Sequence, residues 1–500
     1  MSFGFNDIKS DCIKKLLSQE VAVETFISDA ESGGASKVLS VLADGKLMSL
    51  EQMSDEARVS GRVNFKIVYL DSEGALKGLD YFADFTENVP IDTLSGKLFG
   101  KIVVIDTDTA LNGGIKLSAV VEITLFSVCS KEVKCLVTAS DEFYAERGKL
   151  TTQNYVCNVG GTFSIDDDYD TKRDISKILL FDITSCVSDV NAGMGNVLVN
   201  GMVVANVTYL SNENVFSTPF NIKFSEELEK AELCMGQLIS GESIIKSSRV
   251  VLTGVEGSNV IRVEAEVEIQ LRVYAENQCE MVTDIFSVDS ELVEKFDNFI
   301  CDEYNGMKYF SDKLTGAVSL SPDMSAVREV VSVLAGRNTV AQAVSGSGSI
   351  DIEGVMTASI LYRDENGLNS AEVEIPYSFP FADESATPTQ ALSAYGAVLS
   401  MTAKTKRDRE IEVSADVSFK VEKFGRRESR YIAEITEGET KESSKSAVSL
   451  YIAEEGETMW TAAKALSARP DVLREQNPEL SEPFNSGDKI IFYRQINFEF

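Results

Sequence analysis

The side chains of this chain that could carry out chemistry are almost all carboxylates, because the sequence contains no histidine. Histidine is the usual general base for a serine or cysteine nucleophile and a frequent zinc ligand. Its absence excludes Ser-His-Asp and Cys-His catalysis and every zinc site that needs an imidazole. The nucleophile-elbow, Walker and Rossmann signatures are missing as well. We therefore expect a protein that is not an enzyme and that needs no metal or cofactor.

Two acidic clusters remain as candidates for a chemical site. The stretch DDDYD (166–170) lacks the glycine and the closing glutamate of a calcium loop, which favours a solvated acidic loop over a calcium site. Glu264, Glu266 and Glu268 could supply the paired carboxylates of a glycosidase, but they alternate with apolar residues. That alternation predicts the water-facing side of a strand. SGSGS (345–349) lacks the spacing of a phosphate-binding loop and is interpreted as a flexible turn.

The net charge bears on the partners of the chain. Lysine and arginine total 47 and aspartate and glutamate total 79, so the formal charge is −32. Such a surface repels phosphate backbones and anionic lipid, and we expect neither nucleic acid nor bare membrane as a partner. No apolar window reaches the roughly 18 residues that a membrane span needs, and the N-terminus has no apolar run of signal-peptide length.

The eight cysteines form no CxxC motif, since the closest two in sequence are Cys129 and Cys135. This spacing argues against a zinc knuckle and against a thioredoxin-like redox site. We therefore expect all of them to be buried thiols in a reducing compartment. Together with the missing signal peptide, this predicts a cytosolic protein.

A sequence motif that occurs three times indicates the strands that would position any site. VSGRVNFKIVYLD (59–71), VNGMVVANVTYLS (199–211) and IEGVMTASILYRD (352–364) each place a tyrosine eight residues after a glycine. The alternating apolar residues between the two predict a strand with one buried face. The glycine near the start of each strand indicates a bulge or a close approach of neighbouring atoms.

A second strand recurs further along each copy. Six apolar residues alternate with mostly polar ones at 115–125, 261–271 and 411–421, and alanine is the third apolar residue each time: Ala119, Ala265 and Ala415. This period of two predicts long strands with one face in a core and one in water. The glycines of the first pair of copies are 140 residues apart and those of the second pair 153 apart. Such spacings exceed those of solenoid repeats, so three tandem β-rich domains of sandwich or barrel type are predicted.

The domain boundaries follow from these repeats and from changes in composition. NDIKSDCIKKLLSQE, with apolar residues at helical spacing, predicts a helical segment at the N-terminus. AEITEGETKESSKSA (433–447) is charged, rich in serine and threonine and poor in apolar residues, which is typical of a linker. The predicted segments are a helical segment at 1–20, β-rich domains at 21–140, 149–287 and 298–432, the linker at 433–447 and a small domain at 448–495.

The small C-terminal domain is predicted to run strand, helix, helix, strand. SLYIAE is a short strand, Thr458 caps a first helix, Pro470 opens a second helix, and KIIFYR is the returning strand. This segment resembles a LysM domain. The resemblance is carried by Tyr451, Gly456, Thr458, Ala463, Leu473, Asn477, Pro478, Leu480, Gly487 and Ile491. Glu457 stands where that family has aspartate, which is a mild change, and Phe492 stands where it has proline. The second departure, with Glu454 and Glu455 beside the turn, weighs against ordinary glycan binding.

The resemblance to LysM domains implies a binding surface formed by two turns. The surface maps onto Gly456, Glu457, Thr458, Met459, Trp460, Asn477, Pro478, Glu479 and Leu480. Trp460, the only tryptophan, is either a half-buried packing residue or an anchor of this binding surface.

The threefold β-domain is similar to the SPOCS domain of spore-coat proteins, on the strength of the Gly-Tyr strands and the alanine-centred strands. Three SPOCS domains followed by one LysM domain resemble the clostridial coat-morphogenesis proteins that bind the ATPase of the coat's basement layer. This implies a non-enzymatic adaptor in the mother-cell cytosol, at the forespore surface or in the spore coat, whose LysM module docks the ATPase and whose SPOCS domains bind other coat proteins. The alternative is a protein that binds N-acetylglucosamine-containing glycan, such as peptidoglycan, through the LysM domain. A hydrolase with two carboxylates is a third hypothesis that only residue counts support.

Overall fold

The computed structural model describes residues 3–91, 96–253, 260–322, 324–441 and 446–494. Within these ranges the chain forms three successive groups of six strands, followed by a small mixed module. Unit 1 contains β1 (Phe3–Ser28), the short helix α1 (Asp29–Ser32), β2 (Ala35–Gln52), β3 (Glu56–Asp71), β4 (Leu76–Pro90), β5 (Gly96–Leu111) and β6 (Gly114–Ala139). Unit 2 contains β7 (Tyr144–Asp170), β8 (Lys177–Ala192), β9 (Asn196–Ser211), β10 (Asn214–Glu229), β11 (Leu238–Thr253) and β12 (Val260–Phe286).

The third unit and the module complete the chain. Unit 3 contains β13 (Ser290–Ser319), β14 (Glu329–Ser345), β15 (Ser349–Asp364), β16 (Gly367–Ala382), β17 (Ala391–Arg407) and β18 (Glu410–Thr440). The C-terminal module contains β19 (Val448–Ile452), α2 (Met459–Leu466), α3 (Pro470–Gln476) and β20 (Lys489–Tyr493). The predicted strand-helix-helix-strand order of this module is confirmed.

Each unit is a sandwich of two antiparallel three-stranded sheets. In one sheet the Gly-Tyr strand lies in the middle, with the orders β2-β3-β4, β8-β9-β10 and β14-β15-β16. In the other the alanine-centred strand lies in the middle, with the orders β1-β6-β5, β7-β12-β11 and β13-β18-β17. The two middle strands carry the apolar faces that the sequence indicates, and those faces form one core per unit. The mainly β prediction is confirmed, and the sheets do not close into a barrel.

The repeated glycines lie directly opposite an aromatic residue of the neighbouring strand. A Cβ atom at these positions would overlap the aromatic ring, and in the second and third copies it would also overlap a backbone carbonyl of the other neighbouring strand. The predicted close approach is therefore made by an aromatic side chain in every copy and by backbone as well in two of them. The pairs are Gly61 with Phe85, Gly201 with Phe224 and Gly354 with Tyr377. A ring over a cross-strand glycine covers the backbone that glycine leaves bare. The repeated tyrosines are buried core residues: Tyr69, Tyr209 and Tyr362.

The longest strands reach beyond the sandwiches and meet one another. We call the protruding parts of the pairs β1–β6, β7–β12 and β13–β18 the arms. All three arms contribute to one apolar cluster, whose buried members are Ile8, Val133, Cys135, Leu150, Met281, Phe299, Cys301 and Tyr431. Hydrogen bonds also link the arms: Gln153 of β7 accepts from the Tyr304 amide at 2.9 Å and donates to the Tyr304 carbonyl at 2.8 Å.

The units also contact one another through the other sheets, and these contacts follow a cycle. Strand β4 of unit 1 lies against β8 of unit 2, β10 of unit 2 lies against β14 of unit 3, and β16 of unit 3 lies against β2 of unit 1. Equivalent strands therefore make all three contacts, as in a cyclic trimer with heterologous interfaces. Leu39, Leu179 and Leu334, one from each unit, are buried in a single shared cluster. The chain thus folds as a ring of three units.

Three predictions about local structure are wrong. Residues 3–28 form β1 rather than a helix over 1–20, because they pair with β6 along nearly their whole length. The acidic stretch at 166–170 ends β7 and is not a loop. The predicted linker at 433–447 begins inside β18, which continues to Thr440; residues 442–445 lie outside the described part of the chain.

The prediction of eight thiols is also wrong. Cys12 of β1 and Cys301 of β13 are joined by a disulfide that spans 289 residues of sequence. The two strands belong to units 1 and 3 and are brought together only by the ring. Local sequence spacing therefore gave no sign of the pairing. Among the described residues, the remaining six cysteines are free.

We predict that Gly78→Val weakens the contact between units 1 and 2. A Cβ atom at this position of β4 would overlap the backbone carbonyl of Leu179 in β8, and backbone cannot move aside as a flexible side chain can. Overpacking of this kind is expected to lower stability by at least about 2 kcal/mol, which thermal unfolding of the whole chain measures. Thr86→Val on the exposed side of the same strand is the matched control. Equal melting of the two variants would contradict the tight β4–β8 contact.

Candidate functional site

The C-terminal module carries every residue that the sequence assigned to a binding surface. Its strands β19 and β20 form a two-stranded antiparallel sheet, and both helices pack on one face of it. The core between them contains Met459, Ala462, Ala463, Leu473, Phe484 and Ile490, all nearly inaccessible. These apolar side chains therefore stabilise the fold of the module and are not available for binding.

The first predicted turn is held together by its own side chains. Gly456 adopts a φ of 85°, which favours glycine, and its amide donates to the Phe484 carbonyl at 2.9 Å. The Glu457 carboxylate accepts hydrogen bonds from the Tyr451 hydroxyl at 2.8 Å and from the Glu454 amide at 2.9 Å. Burial, followed by this bond to Glu457, raises the pKa of Tyr451. The carboxylate at position 457 thus clamps the turn onto β19.

The residues that begin α2 contribute little to the surface. Thr458 is the N-cap by backbone conformation, but its side chain makes no capping hydrogen bond. Met459 is 1% exposed and lies in the core. Its amide donates to the Glu482 carboxylate at 3.2 Å, which places the loop after α3 beside the start of α2. Through Glu482 and Phe484 the structure brings the first predicted turn next to the loop that follows the second.

The second predicted segment begins with a residue that is structural. Asn477 is 9% exposed, and its amide group donates to the carbonyls of Leu473 and Ile491 at 2.8 Å each. Its oxygen accepts from the Ile491 amide at 2.9 Å. The side chain therefore ties the end of α3 to β20. Pro478 and Glu479 are exposed, whereas Leu480 packs partly against the core.

Trp460 attaches the module to the rest of the protein. Its indole N–H donates to the Asp284 carboxylate of β12 at 2.8 Å, and its ring meets Phe286 edge-to-face at 5.0 Å. Lys464, one turn later in α2, bonds to Asp284 and to Glu294 of β13. Burial opposes the charge of Lys464, but these two carboxylates outweigh burial and raise its pKa. Asp284, Phe286 and Glu294 were not predicted, because they are far from the module in sequence.

The outer face of the β19–β20 sheet is exposed and apolar. Val448, Leu450 and Ile452 of β19 are 53%, 54% and 59% exposed, and Tyr493, which pairs with Val448, is 54% exposed. Ile491, opposite Leu450, lies between them on the same face. We call these five residues the outer patch. The sequence analysis did not predict the outer patch, because VSLYI indicates a strand without showing which of its faces is buried. The alternation of Val448, Leu450 and Ile452 could have indicated an apolar face.

The acidic clusters do not form a catalytic or metal site in the part of the chain that the structure describes. Asp168 makes a two-point ion pair with Arg262, at 2.7 and 2.8 Å, and that hydrogen bonding lowers its pKa. Glu264 and Glu268 are half-buried and Glu266 is exposed on the polar side of β12, which confirms the predicted strand face. No group of three or more potential metal ligands comes together among the described residues.

A half-open pocket lies between units 1 and 3. Its volume is about 440 Å³, and its lining includes Lys101 and Tyr395. Burial lowers the pKa of Lys101 to about 8, although Glu242 of unit 2 opposes this effect. The Lys101 ammonium lies 2.9 Å from the centre of the Tyr395 ring. These contacts connect Lys101 of unit 1 to Glu242 of unit 2 and to Tyr395 of unit 3.

The protein is rich in β-strands and consists of three equivalent units, followed by a C-terminal module of two strands and two helices. Comparison with protein families adds that residues 174–252 match the family described as SipL, SPOCS domain. The match spans β8 to β11, that is, four strands of unit 2. The chain therefore carries a SPOCS domain, which indicates a sporulation-related protein. No curated protein and no solved structure matches the chain.

The described residues contain no helix that is both long enough and apolar enough to cross a membrane.

We predict that Asn477→Ala destabilises the module. The substitution leaves the carbonyl of Leu473 and both backbone groups of Ile491 without their partner, at an expected loss of about 2–4 kcal/mol. Thermal unfolding followed by the fluorescence of Trp460 reports this loss, because no other tryptophan contributes. Glu479→Ala, two residues away and exposed, should leave the transition in place. A shift of equal size for both variants would contradict the structural role of Asn477.

We also predict that Asp284→Ala loosens the attachment of the module. Without this carboxylate the Trp460 N–H loses its acceptor and Lys464 loses one of its two carboxylates. The emission of Trp460 should shift to longer wavelength, and acrylamide should quench it more strongly. Glu280→Ala on the same strand removes only an exposed pair with Arg147 and is the control. An unchanged emission spectrum in Asp284→Ala would overturn the attachment through Trp460.

Proposed function

We propose that this protein is a non-enzymatic adaptor of spore-coat morphogenesis. In this proposal the C-terminal module is a LysM domain that docks the ATPase of the coat's basement layer. The three units are SPOCS domains that form a scaffold for other coat proteins. The protein acts in the mother-cell cytosol, at the forespore surface or in the assembling coat.

The observation that carries the proposal is the outer patch. Monomeric proteins seldom leave several large aliphatic side chains side by side in water, and such patches mark protein-binding surfaces. Four of the five patch residues are more than half exposed, on a sheet only five residues long. Fully burying each aliphatic side chain against a partner would contribute about 1.5–3 kcal/mol. The patch therefore suits a protein partner with an apolar face of its own.

The predicted glycan surface supports the same choice. A sugar needs free hydrogen-bonding groups, but Asn477 and Glu457 already use theirs within the module. Met459 is buried, and the indole N–H of Trp460 is bonded to Asp284. Gly456, Pro478 and Glu479 are left exposed. Three residues of this kind offer little for a neutral polysaccharide, so glycan binding is the weaker alternative.

The scaffold role rests on the likeness of the three units. Units 1 and 3 repeat the strand order, the glycine–aromatic pairs and the alanine-centred strand of unit 2, in which the SPOCS match lies. The repeated residues are structural: they fill cores and cover glycines. This pattern supports a protein-binding scaffold.

The decisive variant is Leu450→Ser combined with Ile452→Ser. Both side chains point away from the core, so the module should remain folded, and we expect its affinity for the purified coat ATPase to fall at least about tenfold. Leu198→Ser combined with Val344→Ser removes aliphatic residues of units 2 and 3 that are 39% and 46% exposed, and is the control. Surface plasmon resonance with the full-length proteins gives the affinities.

Sedimentation with insoluble peptidoglycan is measured in parallel on the same proteins. If the patch variant binds the ATPase like the control, the outer patch is not the docking site. If none of the proteins binds the ATPase and all of them sediment with peptidoglycan, the adaptor proposal is wrong and the glycan alternative takes its place.

A further inference from the structure

The ring of three units has three junctions, and the chain itself closes only two of them. Residues 140–143 connect unit 1 to unit 2, and residues 287–289 connect unit 2 to unit 3. No backbone connects unit 3 to unit 1. The third junction would therefore rest on non-covalent contacts alone, but the Cys12–Cys301 disulfide crosses it.

We propose that the Cys12–Cys301 disulfide is a reversible lock on this third junction, and that Cys129 is the thiol that opens it. This proposal goes beyond the adaptor function and does not depend on it. The proposed switch has two states. In one state the disulfide joins unit 3 to unit 1, and in the other state unit 3 can separate from unit 1.

The position of the disulfide matches that of the bonds at the other two junctions. Between units 1 and 2, Ser10 donates to the Gln153 carbonyl and accepts from its amide, both at 3.1 Å. Between units 2 and 3, the Gln153 side chain makes two hydrogen bonds to the backbone of Tyr304. Between units 3 and 1, the Cys301–Cys12 bond lies at the same level of the arms. The disulfide thus replaces a polar contact at the junction that no backbone spans.

Cys129 is the thiol best placed to exchange with this bond. It lies directly opposite Cys12 in the register of β1 with β6, and both are partly exposed. Directly opposed residues of antiparallel strands have Cα atoms about 4.5–5.5 Å apart, which falls within the range that a disulfide spans. The Cys12–Cys301 pair itself has a Cα separation of 5.3 Å. Cys12 can therefore bond to either partner with little movement of the backbone.

Cys135, which is buried in the apolar cluster that the arms share, is less suited to the exchange. Burial, and to a lesser extent the neighbouring Cys279, raises the pKa of Cys135 to about 11. Its thiolate, which is the form that attacks a disulfide, is therefore scarce at neutral pH. Cys129 is partly exposed, and its sulfur lies 3.2 Å from the hydroxyl of Ser127.

The exchange step is balanced without an oxidant or a reductant. The Cys129 thiolate attacks the Cys12 sulfur, the Cys129–Cys12 bond forms, and the Cys12–Cys301 bond breaks. Cys301 leaves as a thiolate and takes up one proton, which replaces the proton that Cys129 lost. One disulfide is consumed and one is made. The covalent bond then lies within unit 1, and β16 is held to β2 by non-covalent contacts only.

The test maps the disulfides of the full-length protein by proteolysis and mass spectrometry without reduction. After incubation with oxidised dithiothreitol, the wild type should contain Cys12–Cys301, and Cys301→Ser should contain Cys12–Cys129 in its place. Cys129→Ser should retain Cys12–Cys301 and should release it more slowly when reduced dithiothreitol is added. A wild type that lacks Cys12–Cys301, or a Cys301→Ser variant in which Cys12 stays a free thiol, would overturn the proposal.

Thermal unfolding gives a second readout that does not need the Cys301 variant. Loss of a cross-link over so long a loop should lower the unfolding midpoint of Cys12→Ser by about 5 °C under oxidising conditions. The difference from wild type should vanish under reducing conditions. Cys234→Ser, which removes an exposed thiol away from the junction, is the control. A midpoint of Cys12→Ser that equals the oxidised wild type would show that the bond locks nothing.

Discussion

The structure depends on the way in which the units cover one another. A sandwich of two open three-stranded sheets leaves strands at its borders that other chains could join. Here β4, β10 and β16 each lie against the next unit in the cycle, so that unit 3 returns to unit 1. Equivalent surfaces are used three times, so a single chain has the geometry of a cyclic trimer. A single unit would expose the apolar cluster around Leu39, Leu179 and Leu334.

The arms follow from the same arrangement. Because the ring brings three long strand pairs together, their ends can share an apolar cluster and the hydrogen bonds of Gln153. The C-terminal module is attached at this shared end. Asp284 and Glu294 form hydrogen bonds to Trp460 and Lys464, and Phe286 packs against the Trp460 ring. The module is thereby held with the outer face of its sheet toward solvent. The outer patch therefore remains exposed while the module is attached to the arms.

The sequence predicted the parts of the fold that local patterns determine. The Gly-Tyr strands, the alanine-centred strands and the order of the module are confirmed, because each is set by periodicity over a short stretch. The N-terminal helix was wrong because Ile8, Ile13 and Leu16 fit a helical spacing, whereas pairing with a strand more than 85 residues away decides the outcome. The ring, the disulfide and the Trp460 attachment also join distant residues, for which one sequence carries no local signal. The binding surface assigned to the C-terminal module stays a prediction, and Glu457 and Asn477, two of its residues, are bonded within the module.

The claim on which this account rests is that unit 3 closes the ring onto unit 1. Pulsed dipolar spectroscopy on spin-labelled full-length protein tests it directly. One label pair replaces Asn369 and Lys37 across the junction of units 3 and 1; the reference pair replaces the equivalent Lys77 and Lys177 across the junction of units 1 and 2. We predict short, narrow and closely similar distance distributions for both pairs. A short distance for the reference pair together with a long, broad one for Asn369 and Lys37 would mean that the units form an open row, and the account would be wrong.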